Sequence, residues 1–350
     1  MAYTTIDKPT DYFNVKLWTG NGSASTGQTG VGFQPDWVWI KARTGTQGSQ
    51  SHVLFDSVRG AGKYLFSDSN DEENTDTNRL TSFDSDGFTV GSNNSVNASS
   101  TTYVAWNWLA GGSASSNSDG SLASSVSANT TAGFSIVKYT GNATNSTVGH
   151  GLGVTPQVVI VKNLDSTGSG AEHWRVQHHK VSASKVLYLN LTNAEDTNGD
   201  FQSTYPGSST FSISSADGCN KNGEENIAYC FAEKKGYSKF GKYSANNNSD
   251  GPFIFTGFRP AWLILKVIAG NTGGWDMYDN KRATGNGIIS MLQANSSGAQ
   301  ATSDAVDFLS NGFKIRNTSG NQNGSGDTII YMAFAESPFV NSSGIPCNAR

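Results

Sequence analysis

Three stretches of the chain share one hydrophobic pattern: GFQPDWVWIK at 32–41, GVTPQVVIVK at 153–162 and GFRPAWLILK at 257–266. Each opens on a glycine, sets a proline six positions before a lysine and fills the middle with Val, Ile, Leu or Trp. Proline has no N–H for a ladder bond, so it belongs at the mouth of a strand. Four apolar residues without alternation predict a strand covered on both faces. The lysine is expected to end the burial.

Other landmarks recur around this strand in a constant order. An alternating segment precedes it, with Phe13, Val15 and Leu17 in the first copy, and the pattern is that of a half-buried strand. Its counterparts start at Phe134 and Phe240, and each is followed by a polar turn. After the Pro-to-Lys strand, HVLFDSVR at 52–59 matches WDMYDNKR at 275–282 at Asp and Arg, and WRVQHHK at 174–180 is a looser copy. A short apolar strand and a polar loop come next. Each copy closes with two strands, the first containing Phe88, Phe211 or Phe313 and the second ending near Trp108, Phe231 or Phe334. Asp86-Gly87 and Asn311-Gly312 are turn dipeptides.

The spacings agree from landmark to landmark. The prolines lie 121 and 104 positions apart, the Phe88 set 123 and 102, and the Trp108 set 123 and 103. Such agreement marks internal repetition. The first interval is longer because of a Gly/Ser/Ala/Asn-rich insert, which reads as a flexible linker. The expected organisation is an arm (1–11), module 1 (12–112), a linker (113–132), module 2 (133–236), module 3 (237–338) and a tail (339–350). Residues 1–11 are expected to form an arm or an edge strand. Modules 2 and 3, with no linker between them, are expected to pack as a pair. Modules of about 100 residues with short strands and no amphipathic helix predict an all-β chain of three tandem antiparallel β-sandwiches, jelly-roll or lectin-like.

Composition narrows the function classes. Only 15% of residues are charged and the net charge is −4, with no basic run to hold a phosphate backbone, so nucleic acid is not an expected partner. Aromatics at 11% point to a folded chain, with the polar residues in turns. The N-terminus has no basic region followed by an apolar one, so no signal peptide is read. The apolar runs are far shorter than the ~20 residues of a membrane helix, and no membrane insertion is expected. Three cysteines form no framework, and a hairpin turning near Asn222-Gly223 keeps Cys219 and Cys230 out of register.

The candidate chemistry is sparse. The eight tryptophans all fall on shared landmarks, which favours core over sugar-stacking platforms, although Trp174 and Trp275 sit beside polar residues and suit a groove or an inter-module contact. Asp56 with Arg59, and Asp279 with Arg282, read as ion pairs bracing a loop or as a binding pair. His52 and His178 share that element. Together these eight residues are the candidate ligand contacts. His173, His178 and His179 cluster without the spacing of a zinc site. The acidic loop at 68–76 lacks the glycine and spacing of a calcium loop and reads as solvated. There is no nucleophile elbow or phosphate loop. Glu195, Asp196, Glu233 and Glu336 form no carboxylate pair recognisable as a glycosidase's. The expectation is a non-enzyme without cofactor or metal.

With these landmarks in view, TIDKPTDYFNVKLWTGNG, VGFQPDWVWIKARTG, HVLFDSVRGAGKYL, LTSFDSDGFTVGS and YVAWNWLAGG, with AYCFAEKKGYSKFGKYS and YMAFAESPFV further on, resemble a repeat family of tailed-phage virion proteins, notably of marine phages. The resemblance covers nearly the whole chain and is carried by framework residues. It implies a virion surface protein made in the host cytoplasm, a tail fibre or receptor-binding adhesin that recognises host-surface glycans through its loops. The alternative is a structural capsid-decoration, knob or tail-assembly protein. Implied partners are other virion proteins and host polysaccharide, with a homotrimer as the usual state of a phage appendage. Module 2 departs most from the pattern, so its surface is the one expected to be specialised.

Overall fold

The computed structural model describes residues 3–45, 48–166, 172–283 and 287–347. The chain is all-β. Apart from a short 3-10 turn, Pro9–Asp11, and two four-residue helices, Asn94–Asn97 and Asp217–Asn220, its described regular elements are strands. One strand order recurs in the three repeats. In the first, the main sheet runs Phe13–Thr19, Thr102–Trp108, Trp37–Thr44, Val53–Asp56, Lys63–Phe66, Asn74–Thr75. In the second it runs Phe134–Thr140, Glu225–Phe231, Val158–Asn163, Arg175–His178, Lys185–Tyr188, Asp196–Thr197. The third begins Ser238–Ser244, Thr328–Pro338, Phe258–Ala269, Trp275–Asp279, Gly287–Gln293. The pairing is antiparallel, and Trp39, Ile160 and Ile264 sit opposite Trp106, Tyr229 and Met332. Pro35 and Pro156 precede their strands. Pro260 lies within its strand, at a break in register.

A second set of strands covers one face of each main sheet. It is Thr26–Thr29, Gly87–Val90 and Leu80–Asp84 in repeat 1, and Ser146–Gly149 with Thr210–Ile213 in repeat 2. In repeat 3 it is Phe253–Phe255, Gly312–Ile315 and Ala301–Leu309, joined to the main sheet through Gly287–Gln293. Between the layers lies a core private to each repeat. Val38, Val159 and Leu263, at matching positions of the Pro-to-Lys strands, are fully buried in these three cores.

The alternate residues of the same strands point the other way, into one core shared by all three repeats. Trp37 stacks on Tyr229 with ring centres 4.5 Å apart, Trp108 meets Trp262 at 5.5 Å, and Phe231 meets Phe334 at 5.9 Å. An apolar void of about 10 Å³ at this centre, beside Trp37, Phe231 and Trp262, is too small to take a ligand. The apolar runs are thus covered on both faces, once by the repeat's own second layer and once by its neighbours. Truncating one of these aromatic rings removes contacts worth roughly 3–5 kcal/mol.

The seams between repeats close cyclically. The polar loop of each repeat donates a backbone N–H to the next: Glu73 to the Leu164 carbonyl (2.8 Å), Glu195 to Ile268 (3.0 Å) and Gln300 to Arg43 (2.9 Å). The acidic loop at 68–76, expected to be solvated, is therefore part of a seam.

Three further expectations are corrected. The insert is not a flexible linker. Ser115–Asn117 and Ser124–Asn129 extend the sheet of repeat 2 by two strands, with Val126 opposite Val137, and Val126, Ser127 and Ala132 are buried. Main-chain pairing does not depend on side-chain type, so a Ser-rich strand can still complete an open sheet edge. Among the described residues the arm forms no edge strand and is packed against the repeats. Ile6 is buried in the shared core, the Tyr3 hydroxyl donates to the Gly257 carbonyl at 2.8 Å and Asp7 accepts from the Ser342 N–H at 2.7 Å. Repeats 2 and 3 do pack on each other, as at the Phe231–Phe334 contact, and repeat 1 packs on both. Finally, Lys41, Lys162 and Lys266 do not end the burial; each is fully buried.

Candidate functional site

All eight sequence-singled residues (His52, Asp56, Arg59, Trp174, His178, Trp275, Asp279 and Arg282) lie in the interior. None offers a face to a ligand arriving from solvent. They join the repeats to one another. Asp56 caps the Val58 and Arg59 N–H groups and pairs with the Arg59 guanidinium. Asp279 does the same for Lys281 and Arg282. The second carboxylate oxygen of each also accepts a bond across a seam, from the Tyr229 hydroxyl to Asp56 (2.8 Å) and from the Trp106 indole to Asp279 (3.0 Å). At the third seam the donor's position is filled by Met332, which has no N–H or O–H to give, and the carboxylate's position by His178. A buried carboxylate there would lack its partner. Burial and the neighbouring His179 lower the His178 pKa to about 3, so the imidazole is neutral.

The tryptophans and lysines follow the same cycle. Trp174 donates to the Phe66 carbonyl (2.9 Å) and Trp275 to Tyr188 (2.8 Å). His52 occupies the matching place in repeat 1, accepts a bond from the Trp39 indole at 2.8 Å and lies against the Gln293 backbone. Lys41 reaches the Ser297 carbonyl (3.1 Å), Lys162 that of Asn70 (3.3 Å) and Lys266 that of Thr192 (2.9 Å). Each also donates to carbonyls of its own repeat. Burial lowers all three pKa values to about 8.

A further recurring residue, Asn97, Asn220 and Asn323, was not singled out in the sequence. Each is buried and ties the opening turn of its repeat to the closing strands, as in the bonds from the Asn21, Asn142 and Asn246 N–H groups to the side-chain oxygens. Its signal was available, since the spacings of 123 and 103 are those of the Trp108 set.

Surface depressions occur among the described residues. One, of about 480 Å³, is lined by Ser249, Asp250, Asp307 and Arg316. A second, of about 450 Å³, lies among Tyr3, Glu233, Lys235 and Phe255. The third is a shallow groove of about 400 Å³ where repeats 1 and 2 meet. Val58 of repeat 1 forms one side and Ser124 and Ser125 of the insert strand another, with Lys138, Tyr139, Thr140 and Glu225 from the two strands beside it. Lys138 and Glu225 form an ion pair at 2.8 Å and stay partly exposed. The matching positions hold Leu17 and Thr102 in repeat 1, and Lys242 and Thr328 in repeat 3. The groove thus combines an ammonium, a carboxylate, hydroxyls and an apolar residue, a set that can hydrogen-bond a polyhydroxylated ligand from several sides. Among the described residues no group of three or more His, Cys, Asp or Glu is placed to hold a metal ion. The cysteines are free.

A family profile described as a domain of unknown function (DUF7483) matches residues 8–338, and the chain belongs to that family. No curated protein and no solved structure matches the chain.

Two predictions follow from the seams. Asp279→Ala leaves Arg282 buried without its partner and should cost about 3–5 kcal/mol in urea unfolding, while Asp279→Leu with Arg282→Met should cost clearly less. Equal losses in the two variants would contradict the pairing. The second concerns pH. A lysine of folded pKa about 8, against about 10.5 unfolded, loses its proton first in the folded state. Between these values the unfolded chain holds more protons, so stability rises with pH. Wild type should therefore gain on Lys162→Met by roughly 1–2 kcal/mol from pH 7.5 to 9.5; a constant difference would mean an ordinary lysine pKa.

Proposed function

We propose that this member of the DUF7483 family is a phage virion surface protein, a tail-fibre or receptor-binding adhesin that recognises host-surface glycans in the groove between repeats 1 and 2. The role is supported by the resemblance of the landmarks to tailed-phage virion proteins. The observation that carries the site is the Lys138–Glu225 pair, set among hydroxyls at a seam walled by the insert. Sugars present donors and acceptors on a ring whose C–H faces are apolar. An ammonium, a carboxylate and the Ser124, Ser125 and Thr140 hydroxyls meet the former, and Val58 the latter. Ligand sites also favour the junctions between packed units.

A shallow groove binds weakly, and an appendage compensates by repetition. Three chains in a homotrimer, or many on one particle, convert weak contacts into avidity. A structural role as a capsid-decoration, knob or tail-assembly protein is the second reading, favoured by an uncovered sheet edge in repeat 3.

The purified protein, displayed multivalently on a host-polysaccharide and glycan array, should give sugar-specific binding. Lys138→Met with Glu225→Gln should weaken it by about tenfold or more, equivalent to ~1.4 kcal/mol, without lowering the melting temperature. Absence of glycan binding, or binding that the double variant retains, would defeat the proposal.

A further inference from the structure

Among the described residues, the outermost strand of the second layer has a single partner strand in every repeat. Those strands are Thr26–Thr29, Ser146–Gly149 and Phe253–Phe255, and their partners are Gly87–Val90, Thr210–Ile213 and Gly312–Ile315. In antiparallel pairs, opposed residues alternate between exchanging hydrogen bonds and pointing their main-chain groups outward. Thr256 donates to the Asn311 carbonyl and Ile315 to that of Pro252. Ile254 opposite Phe313 is therefore an exchanging pair, and Phe253 and Phe255 turn their N–H and C=O groups outward. By the same count, from the bond of His150 to the Ser209 carbonyl, Thr147 and Gly149 are the outward residues in repeat 2. The matching residues of repeat 1 are Gly27 and Thr29.

The three edges are finished differently. In repeat 2 the chain covers its own edge with the insert. Leu122 donates to the Thr147 carbonyl at 3.0 Å and forms a parallel bridge to Val148. Thr147 and Ser121 exchange backbone-to-hydroxyl bonds at 2.9 and 3.0 Å, and the Ser124 hydroxyl donates to the Gly149 carbonyl at 3.1 Å. The approach is close enough that a Cβ at Gly120 would stand 2.3 Å from the Thr147 carbonyl oxygen. In repeat 1 the Lys16 ammonium bonds the Thr29 carbonyl at 2.6 Å, and a lysine is a common guard of a sheet edge.

Among the described residues, repeat 3 has neither device. Phe253 and Phe255 are 47% and 57% exposed, side by side on the outer face, where the other repeats carry Gly27 and Thr29, or Thr147 and Gly149. Beside Phe255 opens the depression among Tyr3, Glu233 and Lys235. An open edge flanked by exposed aromatic rings is the reverse of the usual protection against strand addition.

We propose that the Phe253–Phe255 edge docks an extended polypeptide segment of another protein, which pairs with the outward groups of Phe253 and Phe255 as the insert pairs with repeat 2. Main-chain bonds supply affinity. Selectivity comes from apolar side chains at alternate positions that cover the two phenyl rings, with room for a flanking side chain in the adjoining depression. The surface is separate from the Lys138–Glu225 groove, so either proposal can fail without the other.

The test uses the full chain labelled with 15N-phenylalanine and a capped octapeptide of alternating valine and threonine. On titration into the low-millimolar range, the Phe253 and Phe255 amide signals should shift and saturate. The same peptide N-methylated at alternate residues should leave them unmoved. Phe255→Pro removes one outward N–H and no bond to Gly312–Ile315, and should weaken binding about tenfold or more. Phe253→Ser with Phe255→Ser, which keeps the N–H groups, should weaken it while leaving the fold intact. The proposal is overturned by the absence of shifts, by equal shifts from the N-methylated peptide, or by a concentration-dependent dimer that Phe255→Pro abolishes, which would assign the edge to a second copy of this chain.

Discussion

The structure depends on a main sheet that is apolar on both faces. A private second layer satisfies one face only. The other would leave Trp37, Trp108, Phe134, Phe231, Trp262 and Phe334 in water, and in this chain those residues meet one another in a single core. The repeats are therefore not beads on a string. Each is a sandwich of its own and a third of a common interior. Buried polar groups follow from this. Where strands end against a neighbour, their lysines and carboxylates and the Trp106, Trp174 and Trp275 indoles find partners among carbonyls and side chains of the adjacent repeat. One substitution shows how local the requirement is: with Met332 unable to donate, the facing position holds a neutral His178 where the other two repeats hold Asp56 and Asp279.

Much of this framework was legible in the chain. The unbroken apolar run between proline and lysine signals burial on both faces, and the all-β architecture follows from the alternating strands, the turn dipeptides and the lack of helical periodicity. What covers the second face was not legible, since a run of Val and Ile reads the same against a helix, a second sheet or another repeat. The lysines misled for a related reason. Lysine ordinarily marks the return to solvent, but Lys41, Lys162 and Lys266 end against carbonyls of their own repeat and of the neighbouring one. The insert misled through its composition. Its Ser, Gly and Asn content is that of a flexible segment, while its strand depends on main-chain groups that composition does not report.

The candidate site had the reverse history. The residues that stood out by type and recurrence, Asp56, Arg59, Trp174, Trp275, Asp279 and Arg282, recur because they join the repeats. Recurrence across copies selects for framework. The surface features that can serve recognition are the ones that do not recur: the Lys138–Glu225 pair with its insert wall, and the two phenylalanines on the edge of repeat 3. A partly exposed ion pair on the two strands beside an insert carries no sequence motif, and neither does an edge strand of three residues. Both were found only once the sheets were in register.

The account rests on the shared core making one cooperative unit of three repeats, and native-state hydrogen exchange measures this most directly. In the regime where exchange reports opening free energies, the buried strand amides of Val38, Val159 and Leu263 should exchange through one global opening. They should then show a common free energy and a common dependence on denaturant. Three distinct free energies, with one repeat opening while the other two stay protected, would contradict it.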